Sequence, residues 1–203
     1  MNNKIAIGLA GGCALLAAVG YAQMPAVPPT PPMPAAEAAR RTAFDFNLVA
    51  IDGAPMPMKA YRGQVVMLVN TASFCGFTPQ YAGLQAVHDA YKAKGFTVVG
   101  VPSGDFKGQE YGSNKEIAGF CSSKGVKFPL AEKSDVVGAK ALPIYRWAAA
   151  KLGPDKTPKW NFHKYLIGRD GRLITAFGTR TEPTDPAVRA AIEAALKAKP
   201  ARG

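Results

Sequence analysis

The chain of 203 residues has three cysteines, two histidines and 14 acidic residues against 25 lysines and arginines. Each scarcity excludes something. Cys13, Cys75 and Cys121 are too widely spaced for a CxxC dithiol or a paired-CxxC zinc site. His88 and His163 stand alone, without the neighbouring ligands a metal centre needs, so packing or surface roles are expected, with neither metal nor cofactor. The uncharged apolar run at residues 5–19 falls short of the roughly 20 residues that span a membrane. The shortage of acids leaves a formal charge of +11 and a pI near 9.7. Those cations are scattered from Lys107 to Lys164 and over the tail, with no focused stripe and no binding motif. A nucleic-acid partner is therefore not expected, whereas an acidic reductant or an anionic membrane surface fits the balance.

What is present begins with a leader. Lys4, the 5–19 run and Gly20-Tyr21-Ala22 form the pattern of a secretory signal peptide over residues 1–22, with a mature chain from Gln23. The protein is thus expected to be exported to the periplasm, with no stable membrane insertion after cleavage; left uncleaved, the segment would act as an anchor. Cys13 leaves with it. Residues 24–34, MPAVPPTPPMP, favour extended polyproline II. Together with a short frayed helix at 35–41 they make a linker over 23–41. The folded domain is placed at 42–198 and a frayed tail at 199–203.

The domain opens with alternating Phe44, Phe46 and Leu48, the turn pair Asp52-Gly53, and Met56 and Met58, a small hairpin in sequence terms. Apolar β-branched runs at 65–69 and 96–101 read as buried strands. Between them a helix over about 80–93 carries Tyr81, Leu84, Val87, His88 and Tyr91 on one face, with Thr78 as its cap and Pro79 in its first turn. Ser113 or Asn114 caps a helix running to about Lys124. A short extended segment follows at 126–130, then a helix at 141–151. Strands at 161–167 and 172–177 flank a turn at 168–171, and Thr184 or Asp185 caps a last helix. A hairpin, then β-α-β-α, then β-β-α requires a right-handed crossover and a mixed sheet flanked by helices. The expected fold is α/β, thioredoxin-like, with an N-terminal β-hairpin. No internal repeat is present.

Cys75 lies in the turn between the first buried strand and its helix. Free backbone N–H groups and the positive end of the helix dipole favour a thiolate there. A strand–Cys–helix unit gives a thiol redox enzyme a reactive sulfur, expected to be exposed, on a rigid mount.

The segment VNTASFCGFTPQY at 69–81 resembles the active-site segment of the glutathione peroxidase family in its cysteine-containing form. GQEYGSN at 108–114, KFP at 127–129, LPIY at 142–145 and WNFHKYLIGRDG at 160–171 follow in the family's order. The resemblance spans about residues 44–196 and implies an enzyme of thioredoxin-like fold that reduces hydrogen peroxide and organic or lipid hydroperoxides. It implies Cys75, Gln109, Trp160 and Asn161 as the catalytic group. Hydroperoxide reduction needs a thiolate and N–H donors that steady charge as the O–O bond breaks, and Gln, Asn and Trp supply such donors. In thioredoxin-dependent members the position of Cys121 holds a resolving cysteine, which implies a Cys75–Cys121 disulfide reduced by a thioredoxin-like protein, with glutathione as the alternative reductant. The sequence departs from the family at Ser103, where a middle cysteine is usual, and at Ala176 and Thr179, where Arg and Pro are common.

Two other readings compete. A general exported thiol–disulfide oxidoreductase would want a cysteine where Thr78 stands. A thioredoxin-like copper-binding assembly factor would want a close Cys pair and a positioned His.

Overall fold

Val65–Thr71 and Phe96–Pro102 are buried along their whole length, as strands covered on both faces must be. Around them the chain forms, in order, helix α1 (Ala35–Arg40), strands β1 (Asn47–Val49), β2 (Pro55–Pro57) and β3 (Val65–Thr71), and helix α2 (Gln80–Tyr91). Then come β4 (Phe96–Pro102), α3 (Asn114–Ser123), α4 (Pro143–Leu152), β5 (Lys164–Ile167), β6 (Leu173–Phe177) and α5 (Pro186–Lys197). This computed structural model describes residues 27–198. The signal-peptide expectation, Cys13, the first linker residues and the tail at 199–203 lie outside the described residues.

β1 and β2 pair as an antiparallel hairpin. The main sheet has the order β4-β3-β5-β6. β3 and β4 are parallel, joined by the α2 crossover, and β5 is antiparallel to both β3 and β6. α2 packs on β4, α5 on β3, and α4 on β6 and α1. The fold is the thioredoxin-like α/β arrangement expected, a mixed sheet flanked by helices with a hairpin ahead of it. Leu84 and Val87 of α2, Ile117 of α3, Ile144 and Trp147 of α4, and Val188 and Ile192 of α5 supply the buried helix faces.

Local sequence explains most boundaries. Lys92–Lys94 tightens into a 3-10 turn after α2, and Gly95 at φ +86° ends it, a conformation open to glycine at little cost. Ser113 caps α3 in a capping box with Glu116. Pro143 opens α4 and Asp185 caps α5.

The short segment at 126–130 touches the sheet through one bridge, Leu130 to Gly100, where a Cβ on Gly100 would sit 2.7 Å from Leu130 Cδ2. Three expectations change. Thr78 does not cap α2: Pro79 holds that position, without a side-chain bond. The strand expected from Asn161 begins only at Lys164, because Phe162 takes φ +62° and breaks the extended path. The Pro-rich segment is not a free spacer where it is described. Met33 is buried and its N–H donates to Arg146 O, Pro31 O accepts from Arg146 Nε, and Gly138 N–H donates to Thr30 Oγ1. An extended chain without internal hydrogen bonds has such groups to offer a neighbour.

The register places the chemistry. β3 and β4 run parallel, and Lys164 at the start of β5 pairs with Val69 near the end of β3. The β3–α2 turn, the β4–α3 loop and the 160–163 turn therefore leave the sheet at one end, where open α/β sheets bind ligands.

Candidate active site

Cys75 sits in the β3–α2 turn, and short polar bonds fix that turn. The Cys75 N–H donates to Thr78 Oγ1 at 3.1 Å, and the Thr78 hydroxyl donates to Ala72 O at 2.9 Å. Thr78 thus closes the cysteine turn instead of capping the helix. The Phe77 N–H donates to Cys75 Sγ at 3.4 Å, a backbone donor aimed at the sulfur. The residue is 6 % exposed, so the sulfur is less open than a free turn would leave it. Beside it Phe74 is 54 % exposed, its ring 4.4 Å from that of Tyr111.

The β4–α3 loop brings Gln109 to this turn. Its carbonyl accepts from the Phe74 N–H at 3.0 Å, one residue before Cys75. Within the loop Asp105 accepts from the Val136 and Val137 N–H groups, and Lys133 Nζ donates to Tyr111 O. Next to Gln109, Glu110 is buried, and burial pushes its carboxyl pKa up.

The 160–163 turn brings Asn161. Its Nδ2 donates to Gln109 Oε1 at 2.9 Å, while Asn161 Oδ1 is buried with no partner among the described residues. That pairing leaves the Gln109 amide N–H groups as donors for an incoming ligand. Trp160 is mostly buried, 5.6 Å from the Phe106 ring, with Lys107 Nζ 5.8 Å over its face. Gln109 and Asn161 are thus in direct contact, and Gln109 is tied through its backbone to the residue before Cys75. Trp160 joins them through the turn it shares with Asn161.

Cys121 is placed differently. It lies near the C-terminal end of α3, 1 % exposed, with its thiol 3.5 Å from Tyr81 Oη in the first turn of α2. Burial pushes its pKa up. Both cysteines are free thiols. A groove of about 490 Å³, lined by Thr78, Pro79, Tyr81, Ala82, Phe120 and Lys124 among others, separates the surfaces of the two regions.

Residues not singled out in the sequence hold the site. Asn70, expected in the turn that ends the strand, is the sixth residue of β3. Its Nδ2 donates to Trp160 O, its Oδ1 accepts from the His163 N–H, and its backbone carbonyl accepts from the Phe162 N–H at 2.7 Å. The signal was an amide side chain closing an otherwise apolar run. His163 is buried beside Tyr165, and burial, helped by the Lys164 cation, holds its pKa down at about 4. Lys164 is itself buried, its pKa lowered by burial to about 8, which leaves it mostly charged at neutral pH. Among the described residues no three His, Cys, Asp or Glu side chains converge as metal ligands, and no helix is long and apolar enough to cross a membrane.

Comparison with known proteins bears on this arrangement. The family model described as glutathione peroxidase matches residues 43–149. The chain is 40 % identical over 156 residues to the hydroperoxy fatty acid reductase gpx1 of Synechocystis, covering 72 % of this chain and 92 % of that protein. It is 43 % identical over 145 residues to the glutathione peroxidase of Lactococcus lactis, covering 70 % and 92 %. Among solved structures it is similar to Trgpx in apo form, at 35 % identity and TM-score 0.64, covering 78 % of this chain and 97 % of that one.

Proposed function

The chain belongs to the glutathione peroxidase family, and from that premise we propose that it reduces hydroperoxides through Cys75. It is a glutathione peroxidase-like hydroperoxide reductase, so a hydroperoxide and a thiol reductant are its reaction partners. The proposal concerns which residues act. The observation that carries it is the Phe77 N–H aimed at Cys75 Sγ, in a turn joined to the Gln109–Asn161 pair.

In the first step the Cys75 thiolate attacks one peroxide oxygen and the O–O bond breaks. The leaving alkoxide or hydroxide takes a proton and departs as alcohol or water, and Cys75 becomes a sulfenic acid. The Gln109, Asn161 and Trp160 N–H groups are the donors that steady the developing charge. In the second step the Cys121 sulfur displaces the sulfenic oxygen as water, giving a Cys75–Cys121 disulfide. A thioredoxin-like dithiol then reduces it by exchange; glutathione is the alternative reductant. The fatty acid hydroperoxides that the Synechocystis protein's name specifies are proposed as substrates beside hydrogen peroxide.

Burial of Cys121 against Tyr81 means that α3 has to open before the sulfurs meet. Its position favours this. Cys121 is two residues from the end of α3, and opening the last turn releases a few backbone hydrogen bonds, each worth about 1 kcal/mol net.

One assay tests the reading. Purified protein is given hydrogen peroxide or a fatty acid hydroperoxide, with glutathione and with a thioredoxin system in parallel. Turnover with the thioredoxin system is expected. Absence of peroxide consumption under either reductant would overturn it. Export to the periplasm is proposed from the leader sequence, and N-terminal sequencing from the native host should give a mature start near Gln23. An intact Met1 on a cytoplasmic species would refute it.

A further inference from the structure

Lys164 is fully buried, and no carboxylate lies within ion-pair distance of its Nζ among the described residues. Glu182 favours its charge from beyond contact distance, and a buried cation without a contact ion pair needs strong hydrogen bonds. Lys164 Nζ makes two, both to carbonyls: Phe162 O at 2.7 Å and Thr181 O at 2.7 Å. The first grips the residue after Asn161, and the second grips the loop between β6 and α5.

That loop makes two further bonds. The Thr179 hydroxyl donates to Asn161 O at 2.8 Å, and Thr179 O accepts from Gln80 Nε2 at 2.6 Å. Gln80 is the first residue of α2, the helix entered from the Cys75 turn. The loop is thus bonded on one side to the Asn161–Phe162 turn and on the other to the start of α2.

On its sheet side the turn is held by Asn70 of β3, which bonds Trp160, Phe162 and His163; the Lys164 and Thr179 bonds hold its other side, toward α2. Phe162 occupies a left-handed conformation that a bulky residue adopts only when its surroundings fix it. The Phe162 ring is fully buried edge-on to Tyr81 of α2, and its carbonyl is the one Lys164 takes.

We propose that Lys164 and Thr179 are positioning residues of the peroxide site, clamping the Asn161–Phe162 turn to the first turn of α2 so that the Asn161 amide is held in place relative to Cys75. This rests on the role proposed above for Asn161. Charge suits the task because an ammonium bonds carbonyls more strongly than a neutral donor does. Thr179 suits it because its hydroxyl donates to the turn while its backbone carbonyl accepts from Gln80 of α2.

The test measures the second-order rate at which hydrogen peroxide consumes the Cys75 thiol in a single turnover, with circular dichroism and thermal melting to confirm folding. Thr179→Val keeps the shape and removes the donor, and Thr179→Ser restores a hydroxyl. Lys164→Met keeps the length and removes the charge. Thr179→Val is expected to slow oxidation about three- to tenfold and Lys164→Met about ten- to a hundredfold, with Thr179→Ser near wild type. Combined with Asn161→Ala, neither should slow the reaction further, since the group they position is gone. A merely structural role would lower the melting temperature and leave the rate constant of the folded protein unchanged. That result, or full additivity with Asn161→Ala, would overturn the clamp. Wild-type oxidation by Asn161→Ala would instead remove the reading on which the clamp rests. Should Lys164→Met fail to fold, the Thr179 pair decides alone.

Discussion

The two cysteines occupy opposite kinds of environment. Cys75 is in an irregular turn whose backbone is over-determined: Thr78 takes its N–H, Phe77 offers an N–H to its sulfur, and the next loop is bonded to the residue before it. Cys121 is in a regular helix, and its thiol lies within hydrogen-bonding reach of Tyr81. Both thiols are buried, Cys75 at 6 % and Cys121 at 1 % exposure, so what distinguishes them is the backbone around each: a turn that aims an N–H at one sulfur, and a helix that holds the other against Tyr81. The cycle proposed above assigns attack to the first, as the prepared thiol, and resolution to the second, as the reserve thiol, and the variants below test that division.

The sharpest way to break the comparison is to remove the first sulfur. Cys75→Ser is expected to abolish hydroperoxide reduction, because a hydroxyl neither ionises near neutrality nor accepts oxygen as sulfur does. Activity surviving in the purified variant would show that the prepared thiol is not the nucleophile. Cys121→Ser should behave differently. It should consume about one equivalent of peroxide, because the first step uses only Cys75, and then stall under a thioredoxin system. In the wild-type protein, non-reduced peptide mapping should find the Cys75–Cys121 disulfide after peroxide treatment. Full thioredoxin-supported turnover by Cys121→Ser would mean that the reductant attacks the sulfenic acid directly.

The same contrast shows what was legible beforehand. The Cys75 unit could be read because each part has a local cause: an apolar strand, small turn residues, then helical periodicity with Gly95 as its stop. The mixed sheet and its helices followed from the order of such units. What escaped depends on where backbone groups come to lie in space, whether their residues are near or far in sequence. Lys164 reads as a solvated strand residue, and only the Phe162 and Thr181 carbonyls make its burial tenable. Thr78 reads as a helix cap because the residue pattern does not reveal that the turn will fold the nearby Ala72 O and Cys75 N–H onto its hydroxyl. Asn161 reads as a strand residue because Phe162 carries no local sign that it will turn left-handed.

A middle-sized effect is expected at the donors. Gln109→Ala and Asn161→Ala should each slow oxidation of Cys75 by about ten- to a thousandfold without unfolding the protein. Stopped-flow measurement of thiol loss checks this, and unchanged rates in both would make the pair structural only. Tyr81→Phe sharpens the Cys121 side. It removes the hydroxyl beside the reserve thiol, so disulfide formation should change by a few-fold while the first oxidation does not. Equal effects on both steps would mean that the two regions are not separable.

The last prediction concerns pH and stability rather than rate, and it is read at the turn beside Asn70. His163 has a folded-state pKa of about 4, below the ordinary value of 6.5, because burial disfavours its charged form. As pH falls through 6.5 the unfolded chain takes up this proton, but the folded chain does so only near 4. Between those values the unfolded state holds more protons, so stability falls with falling pH. The full gap corresponds to about 3 kcal/mol, absent above neutrality and complete near pH 4. His163→Phe cannot take up the proton, and among the described residues His163 Nε2 has no hydrogen-bond partner to lose. Its melting temperature should therefore drop less than that of the wild type between pH 7 and pH 4.5. The His163 N–H is held by Asn70, so acid should also speed amide exchange at Phe162 and His163 before it does so at 120–123. Equal melting-temperature losses in the two proteins would show that His163 titrates normally. Exchange rising first in α3 would place the acid-sensitive element on the Cys121 side instead.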